Sequence, residues 1–253
     1  MRTLGFVAIS GLWAILLAAP AVAQSTDGMP SGPFDTFVPE PGFTTTLEET
    51  PPDTELVKRL FALGYADQCR LAIESDVLGT EPEVWDLTYR DSYQEADEPD
   101  RTFRLYHFNC DAGAYNVISV FLTWDSFSGL APLSLARPEF DITYESGDFD
   151  GDVLDIAYRG MSATNRLVNA WFDPDTGTIG ASGKWRGLGD AADYSTWVRR
   201  GPVFVLDVFD VDASYDEAVN PWRIVAGGKV LEVPERLPEE IFDEPAEDDA
   251  DGQ

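Results

Sequence analysis

The sequence predicts a mainly β, α+β fold: an antiparallel β-sandwich or barrel-like domain carrying one short N-terminal helix. Runs rich in Val, Ile, Tyr, Phe and Trp recur from Val84 onward, separated by Gly, Pro, Asp and Asn, the pattern of short strands joined by tight turns. A helical apolar period occurs in one short stretch, 53–63. No segment repeats at a fixed period, so a solenoid or a propeller built from copies is not expected. With 44% apolar and 12% aromatic residues in 253, the chain can bury a real core.

Taken in order, residues 1–23 read as a secretory signal peptide. Met1-Arg2-Thr3 supplies the positive end, an apolar run extends from Leu4 to about Ala18, and Ala21-Val22-Ala23 precedes Gln24 with the small residues that signal peptidase cuts after. The run is shorter than the ~20 residues that span a bilayer, so no transmembrane anchor is expected after cleavage. The mature chain is expected to be exported. From 24 to 52, Pro30, Pro33, Pro39, Pro41, Pro51 and Pro52 lie among Ser, Thr, Gly and acids, the composition of a disordered arm.

Asp53 then stands at an N-cap position, Glu55 suits the positive end of a first turn, and Leu56, Val57, Leu60, Phe61 and Leu63 form a stripe ending at Gly64. This predicts a helix over 53–63, the start of a single β-rich domain over 53–231. Strands are predicted at 84–90, 101–110, 115–124, 139–144, 153–159, 167–172, 178–185, 203–211 and 222–225. Asp173-Pro174-Asp175-Thr176-Gly177 between two of them is a hairpin turn, because Pro fixes one backbone angle and Gly accepts positive φ. Residues 232–253 read as an acidic, disordered tail, with eight carboxylates from Glu239 to Asp251 and no base.

Forty-six acids against 17 Lys and Arg give a net charge of −29. Nucleic-acid binding, which needs clustered cations to displace counterions, is excluded on that balance. Cys69 and Cys110 are the only cysteines; in an oxidising compartment they are expected to pair as a disulfide.

Chemistry-bearing candidates are few, and no catalytic residue is assigned. His107 is the single histidine, sits inside a predicted strand, and has no Gly-x-Ser-x-Gly elbow to serve, so a structural role is expected. Multi-histidine zinc sites cannot be built. Asp148, Asp150, Asp152 and Asp155 alternate along a Gly-containing turn, which can aim hard oxygen ligands at one calcium ion. The run resembles the calcium loop of integrin-like β-propeller repeats; the alternative is a polar hairpin turn from Tyr144 to Val153. Trp85, Trp124, Trp171, Trp185, Trp197 and Trp222 offer faces for sugar stacking, or fill the core.

One further segment, Lys184-Trp185-Arg186-Gly187-Leu188-Gly189-Asp190 followed by Trp197, reads as a strand ending in a glycine-permitted turn whose Asp can bond the turn amides. Arg186, Gly187, Gly189, Asp190 and Trp197 form a candidate binding turn. Together with Cys110-Asp111-Ala112-Gly113-Ala114-Tyr115-Asn116 and Phe172-Asp173-Pro174-Asp175-Thr176-Gly177-Thr178, this segment resembles, over about 103–225, the exported bacterial family called domain of unknown function 1176. The resemblance implies export to the periplasm and a β-rich fold, and transfers no catalytic residue.

The functional expectation is a secreted, non-enzymatic binding or interaction module. A basic periplasmic protein, for instance a cationic wall hydrolase such as lysozyme, suits the acidic charge, which steers cations; cell-wall glycan is the other expected partner. The competing readings are a carboxylate- or calcium-dependent glycan hydrolase using acids such as Asp148, Asp150 or Asp190, and a calcium-stabilised structural protein of the envelope.

Overall fold

The computed structural model describes residues 50–238 apart from Asp76 and Asp150. The expected signal peptide, all but the last residues of the Pro-rich arm, and the tail beyond 238 lie outside the described residues. The arm's last residue, Pro52, is buried, and its carbonyl accepts from the Tyr106 hydroxyl at 3.5 Å.

Helix α1 (Thr54–Tyr65) is capped by Asp53, whose carboxylate accepts from the Leu56 N–H at 2.7 Å. Its buried face is Val57, Phe61 and Tyr65, spaced four apart along one side. Leu63, included in the expected apolar stripe, is 80% exposed: it lies on the side turned away from the sheet. After Cys69 comes a single helical turn, α2 (Arg70–Ile73), too short to leave a periodic signal.

Strands β1 (Glu83–Tyr89), β2 (Arg101–Ala112), β3 (Val117–Asp125) and β4 (Gly129–Pro132) pair antiparallel in that order. A long hairpin follows, β5 (Leu135–Tyr144) with β6 (Val153–Thr164). The predicted strand at 167–172 is two pieces, β7 (Leu167–Val168) and β8 (Trp171–Asp173). Asn169 divides them with φ of 44°, so the chain leaves the first sheet, where β7 pairs with β3, and enters the second. There β8 joins β9 (Thr178–Lys184), β10 (Ala192–Arg200), β11 (Val203–Asp212), β12 (Trp222–Ala226) and β13 (Lys229–Arg236) in a six-stranded antiparallel meander.

The fold is therefore the expected antiparallel, sandwich-like β structure with a helical layer. Leu87, Phe103, Leu105 and Phe121 from the first sheet meet Ile179, Trp197, Leu206 and Phe209 from the second, with Leu135 and Ile156 closing the core from the hairpin. The other face of the first sheet is buried as well: Tyr106, Phe108, Cys110, Val120, Leu122 and Trp124 pack under Val57, Phe61, Tyr65 and Ala72. Phe61 stacks on Phe108 with centroids 4.2 Å apart. Cys69 and Cys110 form the expected disulfide, which fastens this helical layer to β2.

Three strands have no counterpart in the expected list: β4, β10 and β13. The last corrects the start of the acidic tail, since residues 232–236 pair with β12 through Trp222↔Arg236 and Arg223↔Glu235. Charged side chains suit this edge strand, where one side of the backbone faces solvent. Among the described residues no helix is long and apolar enough to cross a membrane.

Candidate cleft at the turn end of the second sheet

Three connections separated in sequence meet at one end of the domain: the β5–β6 turn (145–152), the β9–β10 turn (185–191) and the β11–β12 connection (213–221). The β5–β6 turn is closed by the Glu145 N–H donating to the Asp152 carbonyl at 2.9 Å. Gly151 is required there, because a Cβ would stand 2.4 Å from the Ser146 hydroxyl oxygen. Phe149 projects from this turn to within 5.1 Å of the Tyr215 ring, and the Tyr144 hydroxyl donates to the Ala213 carbonyl at 3.1 Å.

The β9–β10 turn is held by its own charged residues. The Arg186 guanidinium grips the Asp190 carboxylate with two hydrogen bonds, one of them from Nε at 2.7 Å. Asp190 is 2% exposed and also accepts from the Glu217 N–H at 2.9 Å. These bonds, first of all the Arg186 pair, lower its pKa to about 2 despite burial. Arg186 in turn donates to the Tyr215 carbonyl at 3.0 Å and lies 5.3 Å from the Tyr215 ring centroid. Gly189, with φ of 79°, supplies the left-handed step.

Arg186, Gly187, Gly189 and Asp190 thus form a latch fastening the β9–β10 turn to the β11–β12 connection. Trp197 is not part of it: buried in mid-β10, it donates its indole N–H to the Ala136 carbonyl at 2.7 Å. Behind the latch, Asn116 and Asn169 brace the end of β9. Asn116 donates to the Lys184 carbonyl, and Asn169 donates to Asn116 and to the Ser182 carbonyl, all at 2.8–2.9 Å.

Between the β5–β6 turn and the β11–β12 connection lies a cleft of about 340 Å³. Phe149, Tyr215 and Trp222 give it aromatic walls; Asp152, Asp216 and Arg236 give it charge. Arg236 stacks 4.6 Å from the Trp222 centroid and donates to the Asn220 side chain at 2.6 Å. Below the rim, the Ser214 hydroxyl bonds Asp212 at 2.6 Å and Asp216 at 3.3 Å. Burial pushes the Asp212 carboxyl above its ordinary pKa, while its bonds from Ser214 and Asn220 pull the other way. Asp212 is buried and fully engaged with these turn groups.

Of the expected calcium ligands, Asp148 accepts from the Ser146 hydroxyl at 3.1 Å, Asp152 lines the cleft, and Asp155 is exposed on β6. Asp150 lies outside the described residues. Among the described residues no group of three or more His, Cys, Asp or Glu side chains is placed to hold a metal ion. His107 stacks on Phe121 at 4.5 Å with Nδ1 2.7 Å from a Glu83 carboxylate oxygen; its other nitrogen, Nε2, is buried without a hydrogen-bond partner among the described residues. Trp124 and Trp197 are core, and Trp171 is exposed where it lies across Gly180.

Sequence reasoning did not find Tyr215, Asp216 or Arg236. The first two lie in Asp-Ala-Ser-Tyr-Asp, a polar connection between strands, and Arg236 falls within what reads as tail. No curated protein and no solved structure matches the chain. The profile of the family described as "Protein of unknown function (DUF1176)" matches residues 49–210, a span that takes in the helical layer and the Arg186–Asp190 latch and ends just before the β11–β12 connection; the chain belongs to that family.

Proposed function

We propose that this protein is an exported, non-enzymatic interaction module that takes a basic segment of a partner protein in the cleft between Phe149, Tyr215 and Trp222. The carrying observation is the lining: aromatic faces beside the carboxylates of Asp152 and Asp216 in a chain of net charge −29. Aromatic faces attract guanidinium and ammonium groups, and carboxylates beside them add hydrogen-bonding charge. The protein's own Arg186 and Arg236 lie against Tyr215 and Trp222, and Arg236 also pairs with Asp216 at 3.6 Å, which shows that these rings and this carboxylate accept a guanidinium; an incoming cation competes with Arg236 there and meets Asp152 and Phe149 beside it. Excess negative charge raises the encounter rate with a basic partner at low salt. Export is supported by the signal-like sequence of residues 1–23 and by the disulfide, which persists in oxidising compartments.

The test is titration of the protein with an arginine-rich peptide, followed by Trp fluorescence. Trp222→Ala is expected to weaken binding about tenfold, the size of a partly desolvated cation–π contact. Asp152→Asn and Asp216→Asn should each weaken it several-fold, and affinity should fall steeply between low and physiological salt. Unchanged affinity in all three variants sinks the reading. Tight, salt-insensitive binding of uncharged cell-wall glycan chains in place of the peptide would redirect the cleft to sugars.

A further inference from the structure

We infer that the basic segment binds as an added β-strand along the free edge of β6, with one cationic side chain turned into the cleft; this rests on the cleft reading above. β6 spans 12 residues, and its hairpin is a two-stranded sheet. β5 packs against the second sheet, with Phe140 set against Phe209. The opposite edge of β6 pairs with nothing among the described residues. An edge of that length presents a row of backbone donors and acceptors, and proteins ordinarily blunt it with Pro, Lys, bulges, short strands or a cover. β6 contains neither Pro nor Lys. Its one cation, Arg159, is engaged with Asp141 at 2.6 Å.

The strand begins at the cleft. Val153, its first residue, lines the cleft, as does Asp152 immediately before it. Register shifts at Leu154 and Arg159 leave Asp155–Tyr158 as a regular stretch between two bulges. Leu154, Tyr158 and Met161 are exposed at 63%, 40% and 46%, giving an incoming strand apolar contacts beside its backbone bonds, the recognition mode of strand addition.

Charge selects the occupant. Residues 24–49 carry Asp27, Asp35, Glu40, Glu48 and Glu49 and no Lys or Arg, and residues 239–253 carry eight acids and no base. A second copy brings another −29. Each of these would meet Asp152, Asp155 and Asp216 with like charge, whereas a basic segment of another protein meets them with opposite charge.

The probe is a ten-residue peptide of alternating Arg and Val, together with two forms N-methylated at every Arg or at every Val. Alternate amides of an extended strand point to opposite edges, so strand addition predicts that one methylated form binds about as well as the parent and the other at least tenfold more weakly. Amides within 153–164 should gain hydrogen-exchange protection on adding the parent peptide. Equal affinities for the two methylated forms, with β6 unprotected, overturn strand addition and leave the cleft reading in place. Absence of binding by the parent peptide overturns the cleft reading, and strand addition with it.

Discussion

A Cys69→Ala/Cys110→Ala variant is expected to melt about 8–16 °C below the wild type. The disulfide spans 41 residues, and closing a loop of that length removes roughly 4 kcal/mol of unfolded-state entropy in the chain-entropy model. For a domain of this size each kcal/mol moves the midpoint by about 2–4 °C. The loss has a location as well as a size. Among the described residues no strand pairing joins the helical layer to the first sheet; Val57, Phe61, Tyr65 and Ala72 pack on Tyr106, Phe108 and their neighbours, and this covalent link fastens them there. Without it, α1 and α2 should open before the two sheets separate, because the inter-sheet core does not depend on them. Thermal unfolding followed by circular dichroism gives the size. Hydrogen exchange should show loss of protection in 54–73 with β9–β11 little changed. A midpoint shift under about 2 °C would remove the disulfide from any account of stability.

The fold was legible wherever burial left a strong pattern. β2 and β3 are covered on both faces, so Phe103–Cys110 and Val117–Trp124 are dense in large apolar side chains interrupted by Arg104, His107, Asn109, Ser119 and Thr123, while β5 comes close to a simple alternation. What escaped has specific causes. β4 contains Gly and Pro, β10 carries polar residues on its half-buried face, and β13 is a charged edge whose pairing depends on β12. Asn169 looks like any strand Asn until its αL conformation and its bonds to Asn116 and Ser182 show it to be where the chain changes sheets. At the functional end, the 147–152 and 185–190 segments stood out because glycines and acids alternate there. Their meeting at Tyr215 did not, since it depends on contacts between Arg186 and Tyr215 and between Phe149 and Tyr215, far apart in sequence, that no local pattern records. The Gly-Leu-Gly-Asp turn attracted a binding assignment for its backbone freedom, yet its Arg and Asp side chains are spent on each other.

That latch gives the second large effect. Asp190→Asn is expected to cost about 2–3 kcal/mol at neutral pH, because it removes a buried carboxylate from Arg186 and from the Glu217 N–H together. Arg186 is about a third exposed, which keeps the figure below that of a fully buried pair. The pH dependence identifies the cause. Asp190 has a folded pKa of about 2, below the ~3.9 of an unfolded aspartate. Its stabilisation is therefore complete above about pH 4 and is lost as pH falls toward 2, through the folded pKa. Asp212 has the opposite sign: its raised pKa favours the native state at low pH, so it works against acid unfolding. Wild type and Asp190→Asn should differ at pH 7 and converge near pH 2 in urea midpoints, whereas a variant that merely disturbed packing would keep its deficit at every pH. The same substitution should reach the cleft. Arg186 ties Asp190 to the Tyr215 carbonyl and lies against its ring, so releasing the latch frees one aromatic wall, and affinity for the arginine-rich peptide should fall even though Asp190 lies outside the lining.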